Sequence, residues 1–281
     1  MKYLGREEAP FGTKLWEMID HTVVGAARSQ LAGRKLLEIQ GPLGFGVRTI
    51  GRLEVELGNT ATFHDITATA TSAPALPIPL IRAEFSLPVR DVAAAEEAGN
   101  PISLARVAIA AIAAARLEDQ LIFSGNRGAG IEGLTTVPGA EKVEVGGWEE
   151  LGKPISDLLA AATALDEAGF PGPYAAALAP RLYNQLFRIY EQSGLTQLEH
   201  ARQILSGGIA KAPALAQGGV VIAIGSHFAH LVVAQDMVAA FVGPRQTELD
   251  FVVVESVVPR IHVAQAICVL EEAAERPRRG R

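Results

Sequence analysis

The sequence predicts a globular α+β protein whose helices and strands come from distant parts of the chain to share common cores. A helix predicted over residues 100–123 is apolar around most of its circumference, so other elements must cover it on several sides. Two successive strands predicted near the C-terminus, at 247–258 and 261–270, must pair with strands formed earlier in the chain. The two ends of the sequence are therefore expected to interleave.

Length and composition exclude the non-globular classes. The chain has 281 residues, of which 49% are hydrophobic and 20% charged, and this composition excludes an intrinsically disordered protein. Its 28 glycines and 16 prolines follow no three-residue period, so it is not collagen-like. The length allows one large domain or two modest ones.

The first predicted element is a helix after Ala9 and Pro10. Thr13 suits an N-cap, and Gly33 is a natural stop signal. The apolar residues that recur there at helical spacing are Leu15, Trp16, Ile19, Val23 and Ala26.

A long hairpin is predicted next. Residues 53–57 alternate apolar and acidic side chains, a Thr- and Ala-rich stretch runs to Ser72, and a second strand is predicted over 80–87. Between Glu56 and Arg82, His64 and Asp65 are nearly the only titratable groups. A two-stranded ribbon is marginal alone in water, so the hairpin either pairs with a neighbouring subunit or lies back on its own domain.

The helix over 100–123 is the clearest of the chain, with Asn100 as N-cap and Pro101 at the first helical position. Beyond it the sequence predicts helices over 155–168, 180–192 and 198–205, and strands over 174–178, 220–224 and 231–234. The long uncharged run 212–235 is interrupted by prolines, glycines and histidines, which indicates strand, turn and strand in place of a membrane span.

Motifs that would carry chemistry are absent from the sequence. The run 125–130 is rich in glycine but follows a helix, whereas a dinucleotide-binding loop follows a strand. His227 and His230 have no carboxylate or cysteine at ligand spacing, and Cys268 lies in an apolar run typical of packing. We therefore expect no catalytic residues, no metal and no enzymatic activity, and an assembly component explains the chain better.

Charge and cysteine content bear on partners and compartment. The formal charge is −6, and without Arg276, Arg278, Arg279 and Arg281 of the tail, residues 1–275 carry 25 − 4 = 21 basic against 31 acidic groups, or −10. Such a body repels nucleic acid, and the tail is either a solvated end or an anion-binding patch. The single Cys268 forms no intrachain disulfide and the N-terminus is charged, so we expect a cytoplasmic protein with no membrane partner.

The run 116–125, continuing through 130–134, resembles the end of the spine helix and the following loop of encapsulins, the shell proteins of bacterial and archaeal nanocompartments. Further motifs follow in family order over nearly the whole chain. They are Tyr3-Leu4, Ala9-Pro10, Trp16, Ile19-Asp20, Gly33-Arg34-Lys35, Gly41-Pro42, Gly172-Pro173-Tyr174 and Gln235-Asp236.

The resemblance implies the fold of tailed-bacteriophage major capsid proteins of the Hong Kong 97 type. Residues 1–47, 81–140 and part of 226–270 would form a peripheral domain with the spine helix. Residues 48–80 would form an extended loop, 141–225 an axial domain, and 271–281 a flexible tail. The extended loop is the predicted hairpin.

The resemblance also implies the function and its residues. Many copies would close an icosahedral shell around cargo enzymes, such as a peroxidase or a ferritin-like protein, docked by C-terminal targeting peptides. By matched position, Leu31, Arg34, Glu38 and Asp236 would form the cargo pocket, with ordinary capping and packing as the alternative. The turn Gly194, Leu195, Thr196 and Gln197 would line an uncharged pore at the five-fold axis, with a plain interhelical turn as the alternative.

Some relatives hold a flavin against a Trp where this chain has Arg90, so no flavin and no other cofactor is expected. A phage or prophage major capsid protein shares the implied fold, but it would package DNA and needs a basic interior. A bacteriocin or hydrolase is the lesser alternative and lacks a nucleophile, a base and a residue to orient them.

Overall fold

The structure, a computed structural model, describes residues 3–51, 55–190 and 194–272. The arginine-rich tail lies outside these ranges. The helices are α1 (Thr13–Arg28), α2 (Val89–Ala98), α3 (Ala105–Ser124), α4 (Lys153–Glu167), α5 (Pro180–Gln185) and α6 (Gln197–Ile204). The strands are β1 (Glu38–Gln40), β2 (Thr49–Gly51), β3 (Val55–Phe63), β4 (Ile66–Ser72), β5 (Ala75–Pro77), β6 (Leu80–Pro88), β7 (Glu141–Val145), β8 (Tyr174–Leu178), β9 (Gly208–Lys211), β10 (Gly219–Ala223), β11 (Ala229–Arg245), β12 (Glu248–Ile261) and β13 (Ile267–Glu272).

A four-stranded sheet in the order β1-β11-β12-β6 forms one half of the molecule, with α1 and α3 packed on one face. The first half of helix α3 can lie close beneath this sheet because its buried residues are mostly alanines, which let the helix backbone approach the strands. The core includes Ile19 and Val23 of α1, Val107 and Ala111 of α3, and Phe251 of β12.

A five-stranded sheet in the order β7-β13-β10-β8-β9 forms the other half, with α4 and α6 beside a second core. Trp148 is buried in that core, and its Nε1 donates to Asp157 at 2.9 Å, which satisfies the one polar atom of the indole. Strand β13 arrives from the end of the sequence and inserts between β7, to which it is parallel, and β10, to which it is antiparallel. The expected interleaving of late strands with earlier ones is confirmed.

The hairpin of β3 and β4 pairs with no other strand among the described residues. The described side chains from Thr60 to Ala75 are all exposed, so the hairpin does not lie back on its own domain. Its turn places His64 at φ 55°, between Phe63 and Ile66. Only at the base, where β2 pairs with β5, does the segment rejoin a core.

Several predicted boundaries are wrong, for local reasons. Helix α1 begins at Thr13 with Gly12 as N-cap and ends at Arg28, and Gly33 lies in a separate 3₁₀ turn. Helix α3 begins at Ala105 and not at Asn100. Asn100 belongs to the end of α2, a helix that was not predicted: Gly99 ends this helix at φ 67°, and the Asn100 N–H bonds back to Ala94 O.

Other departures concern length. The helix predicted over 180–192 ends at Gln185, and the strand predicted over 231–234 is a short piece of the 17-residue β11. The strand predicted over 261–270 is broken by a 3₁₀ turn at Ala264–Ala266. Glu271 and Glu272, expected in the flexible tail, are the last residues of β13. Strand β7 was not predicted at all.

Candidate functional site

The centre of strand β11 is irregular. Its pairing with β12 shifts register between Val233 and Gln235 and again between Gln235 and Val238. Such bulges turn side chains out of a regular ladder and are frequent beside binding sites. Here they place Gln235, Asp236 and Met237 next to helix α1.

A shallow groove of about 260 Å³ lies between α1 and this bulge. Its walls are largely apolar, and acidic residues Asp20 and Asp236 stand on opposite walls. Asp20 accepts a hydrogen bond from Arg6 Nη1 at 3.0 Å. The residues that line the groove are Asp20, Val23, Val24, Gln235, Asp236, Met237 and Val238.

Arg34 ties the edge of the groove to the interior. Its Nη1 donates to Asp236 Oδ1 at 2.9 Å and its Nε to Glu118 Oε1 at 2.7 Å, while Nη2 donates to Glu255 Oε1. Burial by itself lowers the pKa of Arg34, but the hydrogen bond and charge of Glu118, and then the charges of Glu255 and Asp236, raise it above its ordinary value. Arg34 is therefore a permanent cation.

Glu118 and Glu255 are both fully buried, with 0% exposed side chains. Burial, followed by the charge of Glu118, raises the pKa of Glu255 well above its ordinary range, although Arg34 acts in the opposite direction. Burial and the neighbouring carboxyl therefore favour the protonated form of Glu255.

Asp119 holds the loop that carries Arg34. Its Oδ2 accepts from the Ala32 N–H at 2.8 Å and its Oδ1 from the Gly33 N–H at 2.9 Å. Burial raises the pKa of Asp119 to about 6, and these two backbone hydrogen bonds limit the rise. Gly33 is required at this point, because a Cβ there would lie 2.6 Å from the Ile122 side chain.

Of the four predicted cargo-binding residues, the structure brings Arg34 and Asp236 into direct contact. Leu31 is buried against Ala27, Ala115 and Met237, so it supports one wall of the groove from below.

Glu38 lies apart from the other three. It is the register partner of His230 on β11, whereas the neighbouring Leu231 and Val233 face the core beneath α1 and α3. Since successive strand residues alternate between faces, Glu38 points away from the helices and from Arg34. Sequence position alone had placed Glu38 in the same pocket.

The groove residues Val23 and Val24 and the buried acids Glu118 and Glu255 were missed as site residues. One signal was available for Glu118 and Asp119: two adjacent acids in an otherwise apolar helix must find buried partners. Nothing in the sequence around Glu255 marks it as a partner of the same arginine.

At the predicted pore turn, the Tyr190 N–H bonds to Leu195 O at 3.0 Å. Gly194 and Leu195 are exposed. Thr196 caps α6: its Oγ1 accepts from the Glu199 N–H at 3.3 Å, and Glu199 accepts in return from the Thr196 N–H at 2.7 Å. Residues 191–193 lie outside the described part of the chain.

Gln197 differs from its neighbours because its side chain is fully buried. Its Oε1 accepts from the Gly152 N–H at 2.9 Å, and its Nε2 donates to Gln185 O at 3.4 Å. The Gln197 side chain therefore braces the loop and does not face an opening.

Within the described ranges, no three metal-ligating side chains are close enough to hold an ion, and no helix is long and apolar enough to span a membrane. His230 uses its Nδ1 on Ser226 O at 3.0 Å, and Cys268 is buried with its thiol pKa raised to about 12 by burial. Arg90 is the second residue of α2.

Comparison with known proteins gives the family. The family model described as "Encapsulating protein for peroxidase" matches residues 1–258. The type 1 encapsulin shell protein EncA of Myxococcus xanthus is 38% identical over 285 residues, covering 99% of this chain and 99% of that protein.

Solved structures agree on the fold. The virus-like particle from Pyrococcus furiosus superposes with a TM-score of 0.72 at 20% identity, over 92% of this chain and all of that one. The capsid of Myoviridae phage XM1 superposes with a TM-score of 0.57 at 11% identity, over 84% and 90% of the two chains. The predicted phage-capsid fold is thereby confirmed. On the family model and the relative from M. xanthus, the chain belongs to the encapsulin family of nanocompartment shell proteins.

Proposed function

We propose that this shell protein retains cargo enzymes by binding a peptide extension of each in the groove between α1 and the bulge of β11. The observation that carries the proposal is the groove itself: apolar side chains along its length, with the Arg34–Asp236 pair fixed at its edge. Its volume of about 260 Å³ is below the range of about 300–1,000 Å³ for small-molecule pockets. A few peptide side chains would fill it.

The chemistry of the groove defines the peptide it would accept. Val24 offers an exposed apolar contact on α1, while Met237 lies partly buried beside it. The groove-lining residues include two acids, Asp20 and Asp236, and no lysine or arginine. The groove therefore favours an extended peptide with apolar residues and a hydrogen-bond donor or a basic side chain.

Shell closure would depend on contacts between copies. Heterologous interfaces that rotate by the right angle form closed rings, and each standard interface buries about 1,600 Å². The exposed hairpin supports this role, because Phe63 and Ile66 at its tip are 79% and 75% exposed in the isolated subunit. Both side chains would be buried against neighbouring copies.

The role proposed is containment without catalysis, in the cytoplasm. The Arg34 cluster, which consists of Arg34, Glu118, Glu255 and Asp236, contains no serine, threonine, cysteine or lysine. Small solutes would pass between copies near Gly194 and Leu195, the exposed residues of the loop before α6. The hydrogen bonds of Thr196 and Gln197 would stabilise the conformation of that loop.

The docking proposal is tested by changing a groove wall without touching the core. Val24→Glu places a charge at an exposed position of α1 that lines the groove, and Val242→Glu is the matched control at an exposed valine outside it. Shells purified from the source cells are compared for the mass of co-purified protein per shell subunit. We expect Val24→Glu shells to assemble but to lose most of that protein, and equal loading of both variants would refute the groove as the docking site.

A further inference from the structure

The buried acids beneath the groove form an unusual arrangement. Glu118 of α3 and Glu255 of β12 have no exposed side-chain surface, and the Oε1 of each accepts a hydrogen bond from the same guanidinium, that of Arg34. The second oxygen of each carboxyl, Oε2, is also buried and receives no hydrogen bond from any other group among the described residues. The Oε2 atoms of both acids are therefore buried acceptors without a donor.

Arg34 holds the two carboxyls beside each other, so a hydrogen bond between them would give both unpartnered oxygens a partner. Two carboxylates cannot form such a bond, since both are acceptors only, whereas a carboxylic acid and a carboxylate can. One proton between the Oε2 atoms would satisfy both. It would also leave a single buried negative charge opposite the single charge of Arg34.

We infer that Glu118 and Glu255 share one proton at neutral pH and act together as positioning residues that hold Arg34 in place at the edge of the groove. The link to cargo rests on the docking function proposed above, whereas the shared proton does not. The proton belongs to the pair and is not assigned to either residue.

Few charged groups surround the pair in the part of the chain that the structure describes. Besides Arg34, the charged groups that face it are Asp236 on the bulge and Asp119 on α3, with Lys35 near Asp119. On β6, the register partner of Glu255 is the apolar Ile81. Ala27 of α1 and Leu31 after it pack with Ala115, which precedes Glu118 by three residues on α3.

This surrounding charge explains why the proton is retained. If both acids were ionised, Arg34 would face two buried negative charges and that of Asp236 besides, and two like charges in a buried site favour the retention of one proton. Two ionised acids in the unfolded chain hold no proton at neutral pH, so folding takes up one proton here. The stability contributed by this site therefore falls as the pH rises above the ordinary pKa range of a glutamate toward the raised pKa of Glu255.

Glutamine substitution gives a direct test, because an amide N–H can replace the shared proton. In Glu255→Gln the Oε1 still accepts from Arg34 and the Nε2 can donate to Glu118, and Glu118→Gln gives the mirror arrangement. The double variant points two N–H₂ groups at each other and removes the buried charge opposite Arg34. Both single variants are expected to assemble, and the double variant is expected to lose far more stability than the two single effects combined.

Infrared difference spectra of assembled shells between H₂O and D₂O at pH 7.5 then report the proton itself. We expect the band of a buried protonated carboxyl in the unsubstituted shell and its loss in Glu255→Gln and in Glu118→Gln. Absence of the band in the unsubstituted shell, or its survival at full strength in both single variants, would overturn the inference. This readout needs no cargo, so it stands or fails separately from the docking experiment.

A pH series of melting temperatures supplies the second readout. Relative to Glu255→Gln, the unsubstituted shell takes up one extra proton on folding, so its unfolding equilibrium constant rises up to tenfold per pH unit between about pH 6 and 9. Its melting temperature should fall relative to that of the variant over this range. Parallel curves for the two proteins, or additive effects of the two substitutions, would contradict a shared proton.

Discussion

Arg34 Nη1 donates to Asp236 Oδ1 at 2.9 Å, although the two residues are 202 positions apart in sequence. The contact joins the loop after α1 to the bulge of β11, and this bulge forms one wall of the groove. Because Asp236 is 63% exposed while the other two partners of Arg34 are buried, the pair connects a buried charge cluster to the surface on which we propose that cargo docks.

Asp236→Asn should weaken cargo retention and leave assembly intact. The substitution removes one charged partner from Arg34, but Glu118 and Glu255 still hold the guanidinium. The loss of a charge-assisted hydrogen bond from a peptide donor to Asp236, at a partly exposed site, corresponds to about 1 kcal/mol, or about fivefold in affinity for the peptide. Co-purified protein per subunit is measured beside Asp91→Asn, an exposed control on α2. No difference between the two variants would remove Asp236 from the site.

Arg34→Ala should destabilise the subunit itself. It leaves Glu118 and Glu255 without their cation in a buried site, and breaking a buried ion pair from one side costs about 3–5 kcal/mol. Denaturant unfolding and the yield of assembled shells measure the effect. Charge reversal at Arg34 would harm folding in the same way, so it cannot report on docking alone. An Arg34→Ala subunit as stable as the original would show that the cluster is not structural.

Asp119→Ala should also destabilise the fold, through the backbone. The N–H groups of Ala32 and Gly33 would lose their acceptor in a buried loop, at about 1–3 kcal/mol for each group left unsatisfied. Denaturant midpoints at pH 7.5 test this, and a midpoint equal to the original would contradict it.

Asp119 also makes a prediction for pH. Its pKa of about 6 in the folded state lies above its ordinary value of 3.8, so the folded state binds the proton more tightly. Compared with Asp119→Asn, the unsubstituted protein should therefore gain stability as the pH falls from about 6 to about 4. A stability difference between the two proteins that does not change over this interval would show that Asp119 titrates normally.

The double change Phe63→Ser and Ile66→Ser should prevent or weaken assembly without unfolding the subunit. Both side chains stand at the exposed tip of the β3–β4 hairpin, and burying each against a neighbour would contribute about 1.5–3 kcal/mol. Sedimentation distinguishes shells from free subunits, with Thr69→Ala on the same hairpin as control. Deletion of residues 59–72 should have the larger effect, and intact shells from that deletion would exclude an assembly role for the hairpin.

Leu195→Glu and Gln197→Ala should have different effects if the loop before α6 borders a pore. Leu195 is exposed, so a carboxylate there should alter the entry rate of charged small solutes into the shell. Gln197 is buried and hydrogen-bonded to Gly152, so Gln197→Ala should lower the melting temperature and leave the order of solute preference unchanged. Stopped-flow quenching of a dye held inside the shells measures entry, and identical rates for an anionic quencher in Leu195→Glu and original shells would exclude the loop as a pore.

Helices α1 and α3 were predictable from local pattern, because apolar residues at helical spacing report which face of a helix is buried. Their ends were less predictable. Asn100 followed by Pro101 has the pattern of a helix start, yet the Asn100 N–H completes the end of α2. The same local signal suits both roles, and only the neighbouring element selects between them.

The candidate site, too, was only partly predictable from the sequence. Motif order placed Arg34 and Asp236 together, and the structure joins them, but it turned Glu38 to the opposite face of the sheet and buried Leu31 and Gln197. A strand's register sets which face each side chain takes, and register depends on partners more than a hundred residues away.

The sequence by itself determined the fold class, the family, the presence of a hairpin and the helices α1 and α3, since these follow from periodicity and motif order, whereas the structure decided that the hairpin is exposed. Tertiary structure alone decided that Glu118, Glu255 and Asp236 converge on Arg34, because they belong to a helix and to two different strands. Charges that are scattered along the chain interact only when packing brings them within a few ångströms and excludes water, and no local pattern in the sequence records that distance.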